Sequence, residues 1–140
     1  MLSAAAVLVC ALELLYRSQA NFPPVILLDT RPPDVTVTAE AFVRRNPDAV
    51  FLMTTTAVFR DARRGDGDAL RKIASILVHE EWHLRHGPNE RRAYEAQLTA
   101  LMAMGLREGR PVFNEVRTTL LKVVAAEKKR ARPVAITAAR

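Results

Sequence analysis

Cysteine is nearly missing from this chain. Cys10 stands alone among 140 residues, so no internal disulfide framework exists and the redox compartment stays open. Aromatic side chains make up only 6%, and none follows Phe113, which leaves the C-terminal segment without a base-stacking surface. No apolar run is long enough to cross a bilayer. The stretch from Met1 to Leu15 is apolar, but Glu13 interrupts it. That stretch also lacks the basic opening of a signal peptide, which tilts the reading toward a cytoplasmic chain and leaves an atypical export leader open. Acidic residues are outnumbered in one region only. From Arg107 to Arg140 there are nine Lys or Arg against three Glu, which accounts for the whole net charge of +6. Residues 1–106 are balanced, so any pull on nucleic acid or anionic lipid belongs to the C-terminal segment. The plainer reading of that segment is a solvated helix face with a frayed tail.

What is present fits one modest domain. Hydrophobic residues are 49% and charged residues 26%, close to the averages for a globular protein. Disorder over most of the length is thereby excluded. Leu2, Ala5, Val9, Leu12 and Tyr16 recur at helical spacing and predict an amphipathic N-terminal helix. Asn21-Phe-Pro-Pro24 breaks the chain. Val25 to Asp29 and Val35 to Thr38 read as strands, and so does Ala49 to about Thr54 after a turn at Asn46-Pro-Asp48. For Ala57 to Arg60 the pattern admits both strand and helix.

Asp68 reads as an N-cap. Leu70, Ile73, Ala74, Leu77 and Leu84 then follow a helical stripe, stopped at Gly87 and Pro88. Asn89 caps a second helix whose apolar face includes Leu98, Leu101 and Met102, and Gly105 to Gly109 weakens its end. Pro111 opens a third helix that runs to about Lys129, with Val116, Leu120 and Val123 inward.

The chemistry concentrates in His79-Glu-Glu-Trp-His83. Histidines at i and i+4 lie one turn apart on the same side of a helix, so both imidazoles can reach one metal ion. Glu80 points at a water on that ion, where a carboxylate can take a proton and later return it. Two ligands leave zinc short of the three that a catalytic site draws from protein. His86, Glu90 and Glu95 are the candidates downstream. The Gly87-Pro88 reversal brings Glu90, in the first turn of the next helix, back beside His83. His86 sits toward the fraying helix end, and Glu95 lies about 140° around the helix from Glu90. Glu90 is the better placed carboxylate.

Asn89-Glu-Arg-Arg-Ala-Tyr94, paired with the preceding motif, resembles the glutamate helix of gluzincin metallopeptidases, the thermolysin-like group. There a ligand Glu is followed three positions later by a small residue, as Glu90 is here by Ala93. The pairing is also similar to minimal gluzincins and to small metallopeptidase domains of bacterial regulators. The resemblance covers about residues 68–105. It implies Zn2+, hydrolysis of peptide bonds in a peptide or protein substrate, and an antiparallel edge strand that holds extended substrate. The Ala49–Thr54 strand is the expected edge. Two positions depart from the pattern: Glu81 is charged between the histidines, and Tyr94 replaces the usual Asp that orients a ligand.

The expectation is an α+β, zincin-like domain with a short, mostly antiparallel sheet, an active-site helix and a glutamate helix. His79, His83 and Glu90 would hold zinc, with Glu80 as general base. Trp82 reads as core or cleft wall, and Tyr94 either packs or donates its hydroxyl to substrate or a ligand carboxylate. Glu95 reads as a surface partner of Arg91 or Arg92. Two rivals stand beside it: a latent zinc-binding regulatory or interaction domain, and a metal-free basic helical module that binds nucleic acid.

Overall fold

The computed structural model describes residues 1–131, and residues 132–140 of the basic segment lie outside that range. In chain order it consists of α1 (Ala4–Leu14), β1 (Val25–Leu28), β2 (Ala41–Arg44), β3 (Ala49–Met53), α2 (Ala57–Arg63), α3 (Gly67–His86), α4 (Glu90–Ala103) and α5 (Pro111–Ala131). It is an α+β arrangement of five α-helices and one three-stranded sheet, among the described residues.

The sheet differs from expectation in two ways. Its order is β1-β3-β2, with β1 parallel and β2 antiparallel to β3, so it is mixed rather than mostly antiparallel. The Ala49–Met53 strand is therefore central, and β1 and β2 are the two edges. Strand pairing joins segments far apart in sequence, and no local pattern fixes their order. The second discrepancy is Val35–Thr38, which is β-prone but forms turns. Two prolines precede it, and the Arg31 guanidinium donates to the carbonyls of Thr36 and Ala39, both at 2.8 Å. Those bonds fold the segment into a loop that delivers the chain to β2.

Alternation along the strands divides the sheet into two faces. Val25 and Leu27 pair across to Val50 and Leu52, which pair in turn with Val43 and Ala41. This face packs into a core with Phe59, Ile73, Ala74 and Leu77. The other face carries Ile26, Phe51 and Phe42 in register. A second apolar cluster, of Leu101, Leu106, Phe113 and Val116, lies where α4 meets α5.

Helix α1 turns a different face inward from the one expected. Val7, Leu8, Ala11 and Leu12 are buried, whereas Val9 is 44% and Tyr16 97% exposed. Nearly every residue of this helix is apolar, so several stripes fit the helical period equally well. Neighbouring elements, rather than the period, select the one that is buried.

Glu81 explains itself once the fold is known. Arg17, just after α1, donates from both terminal guanidinium nitrogens to the two Glu81 oxygens at 3.1 and 2.8 Å. Arg85 adds a third bond at 3.0 Å. The charge between the histidines thus pins the end of α1 to α3. Burial pushes the Glu81 carboxyl up, but the two arginines outweigh it and hold the group below its usual range. Glu81→Gln should lower stability by about 1–2 kcal/mol, the scale of charge-assisted bonds with partly exposed partners. The folded pKa is the lower one, so this contribution is complete above the unfolded value. It fades as pH falls through the folded value. Thermal melts of parent and variant should therefore differ at neutral pH and converge in acid.

Candidate metal centre

Three caps set the geometry of the site. Asp66, rather than Asp68, caps α3, its side chain accepting from the Ala69 amide at 3.0 Å. Asp68 instead sits in the first turn and binds Arg110 of the α4–α5 connection at 2.8 Å. At the other end Gly87 takes φ 99°, a conformation glycine adopts without strain, and the helix stops. Asn89 then accepts from the Arg92 amide at 3.1 Å and starts α4 with Glu90 as its first residue. The reversal spans only Gly87 to Asn89, so Glu90 returns directly beside the last turns of α3.

His79, His83 and Glu90 converge. Their Nε2, Nε2 and carboxylate atoms lie within 4.8 Å of one another. His79 Nε2 is 3.2 Å from His83 Nε2 and 3.1 Å from Glu90 Oε1, and His83 Nε2 also meets Glu90 Oε1. Both imidazoles are turned so that Nε2 faces this point. His83 does so because its Nδ1–H donates to the Gly87 carbonyl at 2.8 Å. His79 Nδ1 meets the Gln97 side-chain oxygen at 2.9 Å. Two imidazole nitrogens and one carboxylate form a set that could hold a metal ion, and their chemistry suits borderline-soft divalent cations.

The charges agree with that use. Hydrogen bonds with His79 and His83 hold the Glu90 carboxyl down to about 2, so it is ionised across the neutral range. The same contact raises His83, against the effect of its burial. Glu80 is buried, 8% exposed, and receives no hydrogen bond from the described residues. Burial pushes its carboxyl above the usual range, with neighbouring His79 and His83 opposing. Its proton affinity is thereby raised, as a base requires.

These groups open into a cleft of about 770 Å3, lined in part by Phe42, His79, Glu80, Tyr94, Gln97 and Glu115. Strand β2 runs along one side, its outer edge unpaired among the described residues. Tyr94 packs its ring edge-on against His79, with centroids 4.4 Å apart. Burial, followed by the nearby Glu90 and Glu80, pushes its hydroxyl up to about 12.

The other candidates fall outside this group. His86 bonds through Nδ1 to the Trp82 carbonyl at 3.2 Å and stacks on the Trp82 ring. Glu95 is exposed and pairs with Arg91 at 3.6 Å. Trp82 is half-buried and is absent from the cleft lining. Ala93, on α4, is fully buried. Gln97 was not anticipated. Its signal was a glutamine seven residues past Glu90, inside the inward stripe of Ala93 and Leu101 where an apolar residue is expected.

Compared with known proteins, the chain matches no family model, no curated protein and no solved structure. Among the described residues no helix is long and apolar enough to cross a membrane.

Proposed function

We propose that this chain is a zinc-dependent hydrolase of the gluzincin kind, cleaving peptide bonds. The observation that supports it best is the convergence of His79, His83 and Glu90 at one point, with Glu80, buried and without a hydrogen bond among the described residues, next to His79 on the same helix. Zinc held by such a set supplies Lewis acidity, polarising a carbonyl and making water a usable nucleophile near neutral pH.

The chain's own residues do the rest. Glu80 accepts a proton from the attacking water as its oxygen bonds to the carbonyl carbon. It then delivers that proton to the nitrogen as the C–N bond breaks. The free edge of β2 offers alternating N–H and C=O groups to an extended backbone, the mode by which sheet edges take up peptides. Tyr94, a neutral phenol on the cleft wall, can donate to substrate. The basic helix α5 weighs little against this, since its Lys128, Lys129 and Arg130 occupy the last turn, where cations complement the helix dipole.

Purified protein should carry one zinc per chain. It should cleave members of a peptide library, and a chelator should remove both metal and cleavage. Zinc-free protein that cannot be loaded with the ion would sink the reading. Stoichiometric zinc with no cleavage of any library member would favour a latent binding domain on the same site.

A further inference from the structure

Hydrogen bonds that end on groups able only to accept settle the direction of every bond behind them. The Lys72 backbone carbonyl is such a group. Ser75 Oγ lies 2.7 Å from it, so the serine hydroxyl must spend its single proton there. Its lone pairs then accept from Gln97 Nε2 at 3.1 Å. That fixes which end of the Gln97 amide is which, and the oxygen is the end turned toward His79 Nδ1 at 2.9 Å. A carbonyl oxygen accepts, so Nδ1 carries a hydrogen, and Nε2, which meets Glu90 Oε1 at 3.1 Å, is the nitrogen left for a metal to take. Ser75 is fully buried and Gln97 is 4% exposed. Neither bond is shared with solvent, so no water stands ready to replace a lost partner.

We infer that Gln97 and Ser75 act as positioning residues for the metal centre, a neutral two-step relay that holds His79 in its Nε2-coordinating tautomer. The inference rests on the metal reading of His79. It takes over at 97 the duty that the resemblance would give an acidic residue at 94, where Tyr94 stands. A fixed imidazole loses less orientational freedom on binding a metal, and a hydrogen-bonded Nδ1–H makes Nε2 the more basic ligand. Ser75 has no contact with any ligand atom, yet it sets metal affinity by preventing the Gln97 amide from turning over.

Zinc affinity by competition with a chelator, for the parent and three variants, tests the relay. Gln97→Leu should bind zinc about 10–100-fold more weakly, the loss seen when an orienting partner of a ligand is removed. Gln97→Glu should bind within about threefold of the parent or tighter, because a carboxylate also accepts from Nδ1–H. If Gln97 served packing alone, the order would reverse, since a buried leucine is tolerated there and a buried carboxylate is not. Ser75→Ala should weaken binding by roughly threefold to tenfold, a fraction of the full second-shell loss. A second readout uses cadmium-113 in place of zinc in nitrogen-15-labelled protein. Coupling should run from the metal to Nε2 of His79, and the Nδ1–H should exchange slowly with solvent in the parent and faster in Ser75→Ala. A parent that binds neither ion overturns the metal reading and the relay with it. A parent that binds zinc, beside a Ser75→Ala variant of equal affinity and equal Nδ1–H exchange, overturns the relay alone.

Discussion

Glu80→Gln should keep its zinc and lose hydrolysis by about 10²–10⁴-fold, the span that a positioned general base contributes. The substitution is nearly isosteric and removes only the ability to accept a proton. Glu80 makes no hydrogen bond to the described residues, so no structural contact is lost with the charge. Replacing a carboxylate that burial already penalises should leave stability unchanged or slightly raised. The adjacent residue gives the opposite signature. Glu81→Gln breaks bonds to Arg17 and Arg85 and should appear in a melt instead. Two neighbouring glutamates are thus separated by two measurements, metal-loaded turnover and thermal stability. An 80-variant that turns over a peptide as fast as the parent would remove Glu80 from the mechanism.

The second large effect concerns the ligands. His79→Ala or His83→Ala should lower zinc affinity by at least about a hundredfold, more than the loss of an orienting partner, because two protein ligands make a poor site. Glu90→Ala should weaken it by on the order of 10–100-fold or more. Its carboxylate is half-exposed, and water can take its place at the ion. Glu95→Ala and His86→Ala should bind as the parent does, since both side chains are occupied elsewhere. Titration of all five at one pH gives a rank order. Zinc lost from the Glu95 or His86 variant and kept in the Glu90 variant would show that the second helix has been misassigned.

Much of this site could be read from local signals. The α3 stripe, the Gly87 stop and the Asn89 cap are short-range features, and together they place Glu90 beside His83. Residues that act across longer separations could not be read that way. Glu81 finds Arg17 sixty-four positions away, and Gln97 finds Ser75 twenty-two positions away. No periodicity encodes such partners. The helix at Ala57–Arg63 was undecided because Val58 and Phe59 suit either state. The Thr56 side chain settles it by accepting from the Phe59 amide at 3.3 Å. The strand order followed the same rule: β3 is central because β1 and β2 both find it, a fact about the assembled sheet.

The turn of Gly87 to Asn89 has a consequence for how an ion would be taken up at this site. All three candidate ligands fall between residues 79 and 90, on two helices that meet at a sharp corner. Joining them closes a loop of roughly ten residues, which takes on the order of tens of nanoseconds in a flexible chain and costs little entropy. Capture of an ion there would therefore not depend on the sheet. The α3–α4 corner is a local hairpin that an ion could clasp early in folding, before the core of α1, α2 and the strands is assembled.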